Sequence, residues 1–347
     1  MARSHHSGKL LHGQRGSATI WFAVILPVLL GFAALAVDLA RLNLVRTELQ
    51  NAADAATLAG ARSLSDAGGT PYNWSAATTA ALAAARRNFA NADQIQDATI
   101  ETGYWNLQNP SLGLRSPGTP GTPGAGDIAA IRVTITISST KNHGPVQLFF
   151  APILGIDESD MQASAVAVLP VAGGGTGIFP FVINKKMLDH FWDLATSTPI
   201  LKNGVAPTIN LGSIYTFDGA CVLSGQWTTF QSNEKNPSTT YIENLIRNGN
   251  SAPLSIGQNT YIQPGAKASL YSKVPVGTNV ALFVVNNVDS DSFQPVVAIA
   301  AFHIDGYNQG AKYITGHFIP NANFGTTTPG SGNGIAYGAY TPSLLVK

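Results

Sequence analysis

The most constraining feature of this sequence is a run of 22 residues without a charge, which extends from Gly16 to Val37. At a rise of about 1.5 Å per residue, a helix of this length spans roughly 33 Å, which is enough to cross the hydrocarbon core of a bilayer. Arg15 and Asp38 are the charges at its two ends. The run therefore predicts a transmembrane helix, with a kink at Pro27 because proline cannot donate a backbone hydrogen bond.

Charges on the two sides of this run predict how the helix crosses the membrane. The residues before it carry Arg3, Lys9 and Arg15 and no acid, whereas the residues after it mix acidic and basic side chains. Positively charged flanks stay in the cytoplasm. Residues 1–15 are therefore expected to be the cytoplasmic tail of a single-pass membrane protein, and the rest of the chain is expected to be exported.

Two other interpretations of the run are open from the sequence. Ala34-Leu35-Ala36 has the A-x-A pattern that signal peptidase cleaves, so the run could be a secretory signal that is removed. However, the apolar region of a signal is usually about 7 to 15 residues long, which favours a retained anchor. The run could also be a buried helix of a soluble protein, although such a helix would rarely lack a polar stripe over this length.

The helical pattern continues beyond the uncharged run. No Gly or Pro interrupts residues 38–59, so one rod-like helix is expected to extend to about Leu64. Some residues of this helix recur at steps of three or four and therefore lie on one face, which we call the seam. They are Leu42, Val45, Leu49, Ala52, Ala56 and Gly60. The small residues of this seam would let another helix pack closely, which makes self-association possible in principle. The seam could equally pack against the protein's own globular part.

The residues after the long helix are expected to form two units. A second Ala-rich helix is predicted from about Ser75 to Ala92, and strands follow at residues 100–107, 131–137 and 161–169. These elements make residues 38–170 an exported helix with a small α+β unit. Residues 171–177 are rich in glycine and are expected to be a hinge.

Residues 178–347 are expected to form a separate β-rich domain. Six or more short strands, separated by Asn, Gly, Pro and Ser, indicate a sandwich-like or barrel-like fold. The predicted fold class of the whole chain is therefore α+β, with a long N-terminal helix, a small α+β unit and a sandwich-like C-terminal domain.

Composition argues against several classes of function. The formal net charge is +1 and charged residues make up 11% of the chain, so no basic face for nucleic acid is expected. Cys221 is the only cysteine, which leaves neither an intramolecular disulfide nor a Cys-based zinc site. Because Ala220, Val222 and Leu223 around it are apolar, the thiol is expected to be buried.

The strongest candidates for catalytic chemistry are His303, Asp305 and His317. Alternate residues of a strand share a face, so the first two side chains would point the same way. Without a His-Glu-x-x-His pattern they are weak evidence for a metal site, and polar residues at a sheet edge are the ordinary explanation. No Gly-x-Ser-x-Gly motif, P-loop or dinucleotide fingerprint occurs. Neither enzymatic activity nor a cofactor or metal is expected.

The N-terminal half of the chain resembles a known family. The resemblance is carried by Leu26-Pro27 in the predicted span, Val37-Asp38 at its outer edge and the helical run of residues 49–61, followed by Phe149-Phe150-Ala151 and Ala163-Ser164-Ala165. These features resemble the TadE/TadG-like proteins of Flp-type, or tight-adherence, pilus assembly in bacteria, over about residues 15–170. The resemblance implies a non-enzymatic envelope component that contacts the inner membrane and other pilus-assembly or envelope proteins.

Two departures from the relatives refine this expectation. Prepilins that are cleaved carry Glu at the fifth position after the cut glycine, but the fifth residue after Gly16 is Trp21, which favours permanent anchoring. Many TadG-like proteins also carry a von Willebrand A domain with an Asp-x-Ser-x-Ser metal motif. The segments that begin at Asp157 and Asp289 do not have this pattern, so no such domain is expected. An alternative function is a membrane-tethered or secreted surface module that binds a carbohydrate or a host ligand.

Overall fold

The fold is known from a computed structural model, which describes residues 17–66, 72–124, 126–194, 196–232, 237–264, 268–330 and 336–346. The predicted cytoplasmic tail, with Arg15, and also Gly16 lie outside these residues. Within them, the α-helices are α1 (Ser17–Ser63), α2 (Trp74–Ala85), α3 (Lys185–Phe191) and α4 (Thr239–Asn248). Short 3-10 helices form at Pro110–Leu112, Ala151–Leu154 and Ala268–Lys273.

Helix α1 confirms the predicted rod. It passes without a break through Pro27 and Asp38, and no Gly or Pro interrupts residues 38–59. Residues 19–37 are exposed except for the half-buried Ala34, whereas Asp38 is the first buried residue along the described part of the helix. By length and composition, α1 is apolar enough to cross a membrane. The kink at Pro27 stays a prediction.

The first unit is a sheet covered on one face by two helices. Its strands are β1 (Phe89–Ala90), β2 (Asp93–Gln94), β3 (Thr99–Asn106), β4 (Asp127–Ile137), β5 (Val146–Gln147), β6 (Glu158–Ser159) and β7 (Met161–Val168). Strands β3, β4 and β7 form an antiparallel sheet, and the part of α1 beyond Asp38 packs on it together with α2. Alternate residues of β4, such as Ile131, Val133 and Ile135, point into this core as the period of a strand requires.

Helix α2 is shorter than the sequence predicts. It ends at Ala85 instead of near Ala92, because the chain turns into the small hairpin of β1 and β2. The turn of this hairpin places Asn91 and Ala92 in the left-handed region, with φ of 53° and 68°. An Ala-rich run could not reveal this turn, because Asn tolerates that conformation but does not require it.

The second unit contains a closed barrel, which is the form that the predicted sandwich-like fold takes. Strands β9, β15, β17, β19 and β18 are hydrogen-bonded in that order, and β18 also pairs with β9, so the sheet closes on itself. The strands that follow β7 are β8 (Ala172–Gly175), β9 (Phe181–Asn184), β10 (Trp192–Asp193), β11 (Thr198–Pro199), β12 (Ile209–Leu211), β13 (Ile214–Phe217), β14 (Ala220–Leu223), β15 (Gly225–Phe230), β16 (Leu254–Ser255), β17 (Asn259–Gln263), β18 (Asn279–Val285), β19 (Phe293–Asn308), β20 (Tyr313–Phe318), β21 (Ala322–Asn323), β22 (Thr327–Pro329), β23 (Ala339–Tyr340) and β24 (Leu344–Leu345).

Both faces of the barrel strands are buried. In β18, Leu282 and Val284 belong to one apolar cluster, whereas Phe283 and Val285 belong to another. Four large aromatic side chains of the two units are also buried: they are Tyr104, Trp105, Trp192 and Trp227. Strands that are buried on both faces carry near-continuous apolar residues, which explains why these segments are easy to find in the sequence.

The glycine-rich segment is ordered, in contrast to the hinge predicted for residues 171–177. Ala172–Gly175 form a buried strand that pairs with β16 on one side and β22 on the other. The glycines are needed because these neighbours approach closely: a Cβ at Gly173 would overlap the Cα of Gly330. Composition alone cannot distinguish a glycine that provides flexibility from one that makes room.

The C-terminal strand returns to the first unit. β24 pairs with β7, and Ser343 donates a hydrogen bond of 3.3 Å to the carbonyl of Leu58 on α1. Tyr340 is also buried in the core that α1 and α2 form with the sheet. The chain beyond residue 178 is therefore not one self-contained domain, because its last strand completes the sheet of the first unit.

A glycine-to-alanine pair of variants separates an ordered strand from a hinge. Gly173→Ala is expected to lower the free energy of unfolding by about 1–3 kcal/mol, since the new methyl group is forced into a packed backbone. Gly325→Ala is the matched control, because its Cβ would meet nothing within 4 Å. Thermal unfolding of the two variants measures the difference, and equal melting temperatures would contradict the packed arrangement.

The thiol of Cys221 is exposed, so the prediction that it is buried is wrong. Strands β13 and β14 form a two-stranded hairpin that is separate from the main sheet. Alternate residues of such a hairpin face opposite sides, and in β14 Val222 faces the core while Cys221 faces solvent.

Candidate functional site

The most specialised polar site of the described structure lies where α1 leaves its exposed segment. The carboxylate of Asp38 accepts hydrogen bonds from the backbone N–H groups of Phe149, Phe150 and Ala151, at 2.8, 2.8 and 2.7 Å. These three N–H groups begin the turn that leads into the 3-10 helix Ala151–Leu154. A carboxylate is well suited to this position, because it presents acceptors in several directions and favours the positive end of a helical turn.

The charge of Asp38 is maintained by its surroundings. Loss of hydration on burial raises the pKa of this carboxyl, but the three backbone donors and the nearby charge of Arg41 lower the pKa by a larger amount. The net pKa of Asp38 therefore lies below its ordinary value, because hydrogen bonds to the charged form favour that form. At neutral pH the carboxylate is ionised, and its three hydrogen bonds are charge-assisted.

A second set of contacts holds α1 against the first unit, one to three helical turns after Asp38. Arg41 donates a hydrogen bond of 3.2 Å to the side-chain oxygen of Asn91, and the backbone N–H of Asn91 donates to Glu48 at 2.8 Å. Asn91 lies at the left-handed turn between β1 and β2. The guanidinium of Arg41 also lies 4.5 Å from the centre of the Phe149 ring, within the range of a cation–π interaction.

We call this set of contacts the membrane-proximal junction; it comprises Asp38, Arg41 and Glu48 of α1 with Asn91 and Phe149–Ala151. Two turns that are far apart in the sequence meet α1 within three helical turns of one another. Because each contact involves a charged group of the helix and a backbone or amide group of a turn, the junction fixes the position of α1 along its axis. Slippage by one residue would break all of these hydrogen bonds.

The predicted packing seam lies inside the protein's own core. Val45, Leu49, Ala52, Ala56 and Gly60 are buried, and Leu42 is partly buried against the same cluster. At Gly60, a Cβ would lie 2.6 Å from Ile131 and 2.9 Å from Ala81, so α2 and β4 approach the helix closely there. Of the two alternatives that the sequence leaves open, the structure places these side chains against the globular part.

The remaining predicted residues of the span are exposed. Trp21, Pro27 and Val37 are all exposed and lie on the segment of α1 before Asp38. Gln50 donates a hydrogen bond of 2.8 Å to Asp54 one turn later, which is a local pair on the helix surface.

The candidate catalytic residues are brought together, but at an exposed position on the barrel. His317 and Asp305 form a hydrogen bond of 2.9 Å, and His303 lies 3.8 Å from the other oxygen of this carboxylate. His303 is also bonded to Asn279 at 2.6 Å. In the described part of the chain, no group of three or more His, Cys, Asp and Glu side chains could hold a metal ion. The cluster has the geometry of polar cross-strand pairs on a sheet surface.

Comparison with protein families finds two matched regions, which together contain the residues of the membrane-proximal junction. Residues 16–63 match the TadE/G-like Flp pilus-assembly family, and residues 59–167 match a Tad-like Flp pilus-assembly family. Both matches are to Flp pilus-assembly families, and together they cover residues 16–167 of the chain. Asp38 lies in the first matched region, and Asn91 and Phe149–Ala151 lie in the second. No match was found among curated proteins or solved structures.

Only part of the membrane-proximal junction could be identified from the sequence. The sequence identifies Asp38 as the charge at the outer end of the predicted span, and the structure shows that this residue is buried under the turn at Phe149–Ala151. The sequence signal for the other part was Phe149-Phe150-Ala151, a segment that resembles the Tad-like family although it contains no polar side chain. Its contribution to the junction comes from backbone N–H groups, which every sequence has.

Proposed function

We propose that this protein is a non-enzymatic, membrane-anchored component of Flp pilus assembly. Residues 16–37 would be retained in the inner membrane with the N-terminus in the cytoplasm, and the remaining residues would be exported. The two family matches support the pilus-assembly role. The observation that carries the anchoring role is the continuity of α1, which passes directly from an exposed apolar segment into the core of the first unit.

This continuity has a mechanical consequence. A flexible tether would let the exported part move freely, but α1 is at once the anchor and a core element of the body that it carries. The membrane-proximal junction adds polar contacts at the point where the helix emerges. We infer that the exported part is held at a fixed height and orientation above the membrane, as a scaffold for other assembly proteins requires.

The exposed surfaces indicate how partners would be met. The seam on α1 is occupied by the protein's own core, so association with other membrane helices, including a second copy, would use the exposed residues 19–37. Pilus-assembly or envelope proteins outside the membrane would meet the first unit or the barrel. We propose no catalytic role for His303, Asp305 and His317, which lie on the barrel surface, where His317 is bonded to Asp305 across strands.

A complementation experiment tests this function. In a bacterium from which this gene is deleted, surface Flp pili are expected to fall about tenfold or more, and the full-length chain is expected to restore them. A version in which residues 1–37 are replaced by a cleavable signal peptide should be exported but should not restore pili, because the body is no longer held at the membrane. Immunoblotting of sheared surface fractions measures the pilin.

Two outcomes would count against the proposal. Normal pili in the deletion strain would remove the pilus-assembly role, and normal pili with lost adhesion would favour a surface-binding module. Full restoration by the cleaved version would leave the pilus role intact but would show that permanent anchoring is unnecessary.

A further inference from the structure

We propose that a second part of this chain enters the membrane: the segment Phe149–Ile156, here called the apolar tip, inserts into the outer interface of the same bilayer that α1 crosses. The apolar tip connects β5 to β6 and is held against α1 by Asp38. The inference rests on the proposed anchoring of α1, and the experiment below reports on the two separately.

The apolar tip has no polar side chain, yet it is largely exposed. Its eight residues are Phe, Phe, Ala, Pro, Ile, Leu, Gly and Ile. The exposed fractions of its large side chains are 84% for Ile153, 64% for Phe149, 64% for Leu154, 54% for Ile156 and 40% for Phe150. A contiguous surface of five large apolar side chains is unusual on a soluble body and marks a surface that another apolar phase covers.

The position of the apolar tip indicates that the lipid bilayer is what covers it. Asp38 is the residue directly after the uncharged run, so its hydrogen bonds to Phe149, Phe150 and Ala151 fix the tip at the outer end of the predicted span. Within the apolar tip, the 3-10 helix Ala151–Leu154 lies against α1. Ala34, one turn closer to the membrane than Asp38, is half-buried, whereas its neighbours are exposed. A lipid bilayer that surrounds α1 at this level meets the tip as well.

Most backbone N–H groups of the apolar tip donate to an acceptor within the protein. The first three N–H groups donate to Asp38, and Pro152 has none. The N–H groups of Ile153, Gly155 and Ile156 donate to carbonyl oxygens within the tip at 3.0–3.2 Å. Backbone groups that face lipid must be satisfied internally, because lipid tails cannot replace the hydrogen bonds of water. An ordinary surface loop has no such requirement.

The charges around the apolar tip indicate that apolar burial, and not attraction to anionic headgroups, drives the insertion. Asp157 and Glu158 follow the tip directly and are exposed. Arg41, whose guanidinium lies over the Phe149 ring, can extend toward lipid phosphates while its stem remains on apolar surface. Phenylalanine and aliphatic side chains then enter the boundary between headgroups and acyl chains, as in proteins that bind a membrane interface.

Lipid-specific quenching of a fluorescent label tests this insertion. The full chain with Cys221→Ser is reconstituted in vesicles of phosphatidylethanolamine and phosphatidylglycerol, and single cysteines are labelled at three positions. Ile153→Cys reports on the apolar tip, Leu29→Cys on the predicted span, and Arg62→Cys on the exposed far end of α1, about 36 Å beyond Asp38 at helical rise. Lipids with a spin label close to the headgroup are expected to quench the label at 153 at least about twofold more than the label at 62, and lipids with a spin label deep in the acyl chain are expected to quench the label at 29.

The three labels separate the possible failures. Quenching at 29 and 153 but not at 62 supports the insertion. Quenching at 29 alone would overturn the insertion while leaving the anchor intact, and no quenching at 29 would overturn the anchor itself. A label at 153 that is shielded from aqueous iodide but is not quenched by spin-labelled lipid would show that a protein covers the apolar tip, which also contradicts the proposal.

Discussion

Asp38→Asn is expected to release the turn at Phe149–Ala151 from α1. An asparagine side chain has one acceptor oxygen, and its NH2 group would face backbone N–H donors, so the three charge-assisted hydrogen bonds cannot all be replaced. The N–H groups would then open more often to solvent. Hydrogen exchange of the full chain in detergent or nanodiscs should show these three amides exchanging about tenfold faster or more.

The matched control for this variant lies on the same helix. Asp54→Asn makes the same chemical change at a half-buried aspartate that accepts only a local hydrogen bond from Gln50. Exchange at Phe149–Ala151 should be unaffected by it, because Asp54 is about four turns away along α1. If Asp38→Asn and Asp54→Asn gave the same exchange pattern, the membrane-proximal junction would not depend on the Asp38 carboxylate.

Leu49→Ala is expected to cause the largest loss of stability among simple variants of α1. The side chain of Leu49 is fully buried between the helix and the sheet, and truncation of such a leucine typically costs about 2–5 kcal/mol. For a protein of this size, the melting temperature should fall by about 3 to 7 °C. Thermal unfolding of the full chain in detergent, followed by circular dichroism, measures the change.

Leu44→Ala provides the control with identical chemistry. Leu44 lies on the same helix five residues earlier but is 60% exposed. Its truncation should change the free energy of unfolding by less than about 0.5 kcal/mol, as expected for a surface position. Equal effects of the two variants would mean that the exported half of α1 is not part of the core, and that the anchor is a tether only.

Patterns that are local in the sequence predicted much of this fold. The length of α1 follows from an unbroken run of residues that favour helix, and β3, β4 and β7 follow from alternating apolar residues. The strands of the barrel were visible because both of their faces are buried, which makes the segments continuously apolar. Closure of the barrel could not be predicted from local patterns, because the parallel pair of β9 and β18 joins segments about 100 residues apart.

Errors arose where a residue's role depends on a distant neighbour. Gly173 and the glycines beside it suggested flexibility, but β22 and β16 approach them so closely that only glycine fits. Cys221 has apolar neighbours, but its hairpin stands apart from the main sheet and exposes it. In both cases the local composition was correct, and the deciding contact comes from another part of the chain.

The sequence by itself determined that α1 has an apolar segment long enough to span a membrane, that the helix continues beyond it, and that its seam must pack against something. These properties depend on hydrophobicity and helical period, which are encoded in consecutive residues. Only the tertiary structure decided that the seam packs against the protein's own sheet and that Asp38 holds the apolar tip. Asp38 and Phe149 are 111 residues apart in the sequence. The groups that Asp38 binds are backbone N–H groups, and no pattern of side chains indicates that these will bind a carboxylate.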